Sequence, residues 1–204
     1  MTHRNRDSVH PSTSPASTPA STPVSTPGRR SEILRNVVEI ANARRDGVLP
    51  LDVPGATEVF GDAHGLVTAL QLRWHNRLAG RLEQELTEEP SDLEGAVLRG
   101  WAAAATELAG VRAVLDEATA RPDSTETEHA LTVAAHKEWA LLATLAGRRA
   151  VTTDGTLQVG RELEDRARAL AAARDLSAPV AEQDTGATAR PGSLIGRLRA
   201  HLAA

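Results

Sequence analysis

Leu66, Leu70, Trp74, Leu78, Leu82 and Leu86 recur at every fourth position of one stretch. A period of four sustained over this length is a helical stripe, too regular for a strand. Asp62 stands where a helix N-cap is needed, and Pro90 cannot continue the helix. The spacing therefore predicts one long helix over about 62–89, with an apolar face that must be buried against other elements.

The neighbouring segments repeat the logic. Ser31 caps a helix in which Ile33, Val37 and Ile40 share a face, and Asp46-Gly47 ends it. The following VLPLDVPG, with Pro50 and Pro54, must be irregular. Ser91 or Asp92 caps a third helix whose seam is Leu93, Val97, Trp101, Ala104, Leu108, Val111 and Leu115, with Gly110 marking a break. Ser124 or Thr125 opens a fourth, to Arg149, carrying Leu131, Ala135, Trp139, Leu142 and Ala146. A fifth spans about 153–175. No segment alternates with period two. The expected fold class is all-α: a bundle of about five core helices over 31–176, long enough for a single core.

The two ends read differently. Residues 1–30 contain the repeated unit ASTP, ASTP, VSTP, with Pro15, Pro19, Pro23 and Pro27. Proline at that spacing blocks helices and ladders, and little there is apolar, so a disordered arm is expected. Thr18, Thr22 and Thr26 each precede a proline, which leaves open a modification platform. Residues 177–191 read as a linker. A short amphipathic helix follows, with Leu194, Ile195, Leu198 and Leu202 on one face and Arg197 and His201 beside it. A helix this short needs a surface to dock on, either its own domain or a protein partner through Leu194–Leu202. Its GSLIGRL also resembles the C-terminal peptides that load cargo into encapsulin shells, which makes an encapsulated cargo one alternative.

Composition excludes several chemistries. The chain has no Cys, which removes disulfides, thiolate metal sites and cysteine nucleophiles. No apolar run is long enough to span a membrane, and the first residues lack an apolar stretch behind their charges; the expectation is a cytoplasmic protein without a membrane partner. The net charge of −4 conceals a middle section, 31–176, at −8. That acidity argues against broad contact with a phosphate backbone, so nucleic acid is not the expected partner.

Candidate chemistry is sparse. His129 and His136 are seven apart, not the three or four of paired metal ligands on one helix, and Glu126-x-x-His129 has no second copy. No phosphate loop or nucleophile elbow is present. No catalytic residue, metal ligand or cofactor is assigned, although a metal or haem protein using His75, His129 and His136 is a second alternative. Arg73, Arg77 and Arg81 form a row beside the Leu/Trp stripe. They can pair with acids such as Glu162 and Glu164, or they can meet an anionic ligand near Trp74. Trp74, Trp101 and Trp139 lie on the apolar stripes of three different helices, where they can pack or line a pocket. The ligand-binding candidates are therefore Arg73, Trp74, His75, Arg77, Trp101 and Trp139.

Residues 59–118 resemble the ligand-binding half of TetR-type transcriptional regulators. The resemblance rests on Phe60-Gly61 before a long helix, Asp92-Leu93-Glu94 with Trp101 opening the next, and Ala109-Gly110 before a short one. It implies a helical domain with an internal pocket and a homodimer formed through the last two core helices, about 124–149 and 153–176. The family's DNA-reading module needs three helices before Phe60-Gly61, and only one full helix, 32–45, fits here. The expectation is a non-catalytic regulatory or interaction protein that binds a small ligand. A DNA-binding regulator with a compressed helix-turn-helix is the alternative within that resemblance.

Overall fold

Side-chain acceptors set most of the helix starts. In the computed structural model, which describes residues 27–177, Asp62 Oδ1 accepts from Gly65 N at 2.9 Å and Asp92 Oδ1 from Gly95 N at 2.9 Å. Ser124 Oγ accepts from Thr127 N at 3.1 Å, and Thr152 Oγ1 from Gly155 N at 3.1 Å. Each bond satisfies a backbone donor that the first helical turn leaves unpaired.

The helices are α1 (Pro27–Arg44), α2 (Ala56–Phe60), α3 (Ala63–Glu88), α4 (Leu93–Glu107), α5 (Ala109–Ala120), α6 (Thr125–Leu145) and α7 (Thr153–Ser177). Among the described residues there is no strand, so the fold is all-α as the periodicity predicts. The Pro/Ser/Thr repeat with Thr18, Thr22 and Thr26, and the Leu194–Leu202 tail with its cargo-peptide resemblance, lie outside the described residues.

Among the described residues seven helices stand where about five were read from the sequence, for two reasons. The five-residue α2 is too short to show a period. Leu108, at φ −116° and ψ 38°, breaks the third expected helix into α4 and α5, two residues ahead of Gly110. The first helix also begins at Pro27 rather than Ser31. Proline suits a first turn because the N–H it lacks has no partner there. Arg29 and Arg30 then find partners on α2: Arg29 donates to Glu58 at 2.7 Å, and Arg30 donates to Val59 O at 3.1 Å with its guanidinium 4.6 Å from the Phe60 ring centre.

The described residues divide into two compact units. The first holds 27–74 and 108–132, and the second holds 75–107 and 133–177. In the first, Ile33, Val37 and Val38 of α1 are buried along with Val59, Phe60, Leu66, Leu70, Val111 and Leu115. Ile40, expected beside Ile33 and Val37, is only half-buried, and Ala41 is buried instead. Helices α1 and α5 touch at Gly110, where an added Cβ would lie 1.8 Å from Ala41 O. α5 lacks a side-chain cap of its own. Asn42 of α1 supplies one, its Oδ1 accepting from Gly110 N at 3.0 Å and Val111 N at 3.3 Å.

In the second unit α4 lies along α7, and Leu78, Leu82, Val97, Trp101, Leu142 and Leu163 are buried. Helices α6 and α7 meet backbone to backbone at Gly160, where a Cβ would lie 2.0 Å from Trp139 O. Glu94 of α4 is clasped by Arg148 and by Arg166 of α7, at 2.5 Å each. Hydrogen bonds from Arg166 and then Arg148 hold its carboxyl below the usual carboxylate range. A carboxylate depressed on folding stabilises fully above its unfolded value of about 4.3, and that contribution is lost as pH falls through the lower folded value. Glu94→Gln is therefore expected to lower the thermal midpoint at pH 7. The gap to the parent should shrink as pH drops below the unfolded carboxylate range. A gap that stays constant through acid, followed by circular dichroism, contradicts this role for Glu94.

Candidate functional site

Trp74 belongs to the first unit and is fully buried. The Arg112 guanidinium, itself bonded to Asp116 at 2.7 Å, covers its ring at 5.0 Å from the centre. Arg73, one position earlier on α3, is exposed.

The other four candidates lie in the second unit. His75 is half-buried. Arg77 and Arg81 both bind the carboxylate of Glu107 on α4, rather than the Glu162 or Glu164 expected from sequence. The reason is register: Glu107 closes α4, opposite the two arginines on α3, while the α7 acids have other partners. Glu164 Oε2 accepts from Trp139 Nε1 at 2.5 Å and its Oε1 from Arg168 at 2.7 Å, and Glu162 accepts from Gln158 at 3.2 Å.

Trp101 is 1% exposed; its Nε1 donates to the buried Glu138 at 2.8 Å, and Arg168 stands 5.1 Å from its ring centre. Arg168 and Glu164 thus link Trp101 to Trp139. Trp139 is half-buried, with Arg161 and the His136 ring at 5.9 and 5.5 Å. Both indole N–H groups meet carboxylates, as buried tryptophans require a partner.

The histidines do not converge. His64 Nδ1 lies 3.1 Å from Thr127 Oγ1, while His129 and His136 are exposed on α6. Among the described residues, no group of three or more His, Asp or Glu could hold a metal ion. No helix there is long and apolar enough to cross a membrane.

A concavity of about 540 Å³ opens in the first unit, and none of the six candidates lines it. Its floor is Ala63 and Val67 from the start of α3, Val114 and Ala118 from α5, and Thr127 from α6. One wall is the segment 46–51, which contributes Val48, Leu49 and Leu51. Glu117, Arg121, Asp123 and Asp46 stand around it, three acids to one base, and Arg121 is tied to Glu117 at 2.5 Å.

Local chemistry fixes that wall. Arg45 and Gly47 take left-handed conformations (φ 51° and 76°) that end α1 and turn the chain. Asp46 Oδ1 accepts from Val48 N at 2.9 Å, the local bond that makes aspartate a turn residue. Leu51 N donates to Leu49 O at 2.8 Å, and Pro50 between them is buried. The turn presses on α5, since a Cβ at Gly47 would lie 3.3 Å from Glu117 Cβ. Val48 is left 56% exposed and Leu51 39% exposed.

No protein-family model, curated protein or solved structure matches the chain. The reading of the site therefore rests on its geometry. Sequence periodicity missed the groove because its wall is not helical. The available signal was the apolar content of a proline-bounded connection: Val48, Leu49 and Leu51 in a segment that ought to be polar.

Proposed function

We propose that the chain is a non-catalytic regulatory or interaction protein, and that the groove of its first unit binds a ligand with an apolar body and a positive group. One observation carries this reading: an open apolar floor of ligand size beneath a rim of three acids and one base. Ligand sites commonly occupy about 300–1,000 Å³, with a mainly apolar lining and a few polar groups that orient the guest. Among the described residues that line the groove, the one guanidinium, that of Arg121, already neutralises Glu117, so Asp46 and Asp123 set the residual sign.

The reading keeps the ligand-binding role that the resemblance to TetR-type effector domains implies, but places it in an open groove rather than in an internal pocket. A homodimer formed through α6 and α7, and a cytoplasmic location, belong to the same proposal. Native mass spectrometry checks the dimer, and a gel shift with the adjoining promoter checks for DNA binding. Between Pro27 and Gly61 the chain forms only α1 and the five-residue α2, which favours an effector role without a complete reading module.

The test of the groove is thermal unfolding of the full chain with decyltrimethylammonium or decanoate below their micellar concentrations. The cationic probe should raise the midpoint by about 3–6 °C at ten times its dissociation constant. Decanoate should give less, and Leu51→Asp should abolish the shift. Equal shifts from both probes, a shift unaltered by Leu51→Asp, or demonstrated turnover of a substrate would overturn the reading.

A further inference from the structure

Resting on that reading of the groove, we infer that Arg44 and Asp52, neither of which lines it, are its positioning pair: a forked ion pair that joins the two ends of the wall 46–51 and so holds the groove in its binding shape. Three observations combine.

The first is where the pair stands in the chain. Arg44 is the last residue of α1, and Asp52 follows the wall directly. Arg44 Nη1 donates to Asp52 Oδ1 at 3.1 Å, and Nη2 donates to Oδ2 at 2.6 Å. Exposed ion pairs are generally weak, and the exceptions are forks of this kind, in which two parallel bonds fix direction as well as distance. Those bonds hold the Asp52 carboxyl below the usual carboxylate range.

The second is how little else ties the wall down. Among the described residues, every hydrogen bond made by 46–51 stays inside the segment, from Val48 N to Asp46 and from Leu51 N to Leu49 O, and none reaches the floor helices α3, α5 and α6. Packing at the buried Pro50, and at Gly47 beside Glu117, supplies the rest.

The third is what the wall carries. Val48, Leu49 and Leu51 line the groove, so a ligand's apolar body meets them only while the wall stays beside Val67 and Val114. Beyond Asp52 the chain is anchored again, by Val53 at 4% exposed and by the 3.0 Å bond from Ala56 N to Val53 O. With the fork made, the wall is a short closed loop between fixed ends, and little binding free energy goes into ordering it. With the fork broken, only a fraction of molecules hold the binding shape, and apparent affinity falls by that fraction.

The experiment uses the full chain and decyltrimethylammonium below its micellar concentration. Arg44→Gln, Asp52→Ala and the double variant change exposed side chains absent from the lining. Their thermal midpoints without probe should therefore stay within about 3 °C of the parent. Both single variants should weaken the probe by about three- to tenfold. The common sign is decisive. Acting through charge alone, Arg44→Gln would tighten a cationic probe and Asp52→Ala would weaken it. The double variant should lose no more than either single variant, because the two residues act through one another. Amide exchange at Val48 and Leu51, read by NMR without probe, should quicken by about threefold or more in both single variants and stay unchanged in α4 and α7.

Affinities that move in opposite directions, losses that add in the double variant, or unchanged exchange at Val48 and Leu51 overturn the inference. Its failure and that of the groove reading are distinguishable. If the probe binds the parent and all three variants alike, the groove reading stands and the positioning role falls. If the probe binds none of them, the groove reading falls, and amide exchange alone decides whether the fork holds the wall.

Discussion

Gly110→Ala is expected to destabilise the first unit by about 3 kcal/mol or more, beyond the usual range for one added methyl group in a well-packed site. The new Cβ would lie 1.8 Å from Ala41 O, 2.2 Å from Ala41 C and 2.5 Å from Asn42 Cα. All three atoms are backbone, so no side chain can swing aside. Restoring an ordinary C···O contact of about 3.3 Å requires α1 and α5 to part by roughly 1.5 Å. That movement also stretches the two bonds by which Asn42 Oδ1 caps α5, at 3.0 and 3.3 Å. Steric and capping losses therefore arrive together. In an exposed helix interior the same substitution would stabilise, because alanine has the better helix propensity by about 0.8–1.0 kcal/mol. The sign of the measured change thus decides whether the close crossing exists. Urea unfolding monitored by circular dichroism reads it. Asn42→Ala should lose about 1 kcal/mol by removing the cap alone. A neutral or stabilising Gly110→Ala would mean that α1 and α5 do not approach at this point.

The sequence shows Gly110 but not its reason. Read along one helix, it looks like a weak point and a candidate break. The break lies at Leu108, and Gly110 sits inside α5, where another helix comes close. Periodicity reports what one helix buries, and contact between two backbones leaves no trace in either helix's pattern. The Leu66–Leu82 stripe was legible for the opposite reason: Leu66, Leu70, Trp74, Leu78 and Leu82 are all at most 1% exposed, so the pattern and the burial carry the same information. Leu86, the last of the series, is only half-buried, and Leu93 at the head of the next seam is 41% exposed. Stripes lose their meaning at helix ends, where neighbours run out. Caps were equally legible, since Asp62, Asp92 and Ser124 act through bonds spanning three residues.

The arginine row shows a different limit. Spacing places Arg77 and Arg81 together but cannot choose their partner among many acids in a chain with 27 of them. Tertiary register chose Glu107. The groove was least legible of all, because it is assembled from a connection and the ends of three helices, and no single segment carries its signature. Its one local clue, apolar residues left exposed on a turn, becomes informative only once Gly47 is seen pressing that turn against α5.

Trp101→Ala is the second change expected to have a large effect, about 3–5 kcal/mol, the usual cost of removing a large buried aromatic. Two separable losses contribute. Trp101 is 1% exposed, so the volume it vacates lies wholly inside the second unit. Its Nε1 also donates to Glu138 at 2.8 Å, and Glu138 is only 3% exposed. A buried carboxylate that loses a donor costs roughly 1–3 kcal/mol or more. Trp101→Phe keeps most of the ring and removes the donor, so it isolates the second loss. If packing dominates, the phenylalanine variant recovers more than half of the alanine variant's deficit; if Glu138 dominates, it recovers little. The area argument favours packing, because an aromatic of this size buries about 150–250 Å² and one hydrogen bond is a smaller quantity. Guanidinium unfolding of both variants, followed by far-ultraviolet circular dichroism, measures the two. An alanine variant within about 1 kcal/mol of the parent would show that Trp101 faces a yielding space rather than a packed core. That outcome would return Trp101 to the set of pocket-lining residues, because a site that tolerates an empty indole volume is one that a ligand can fill.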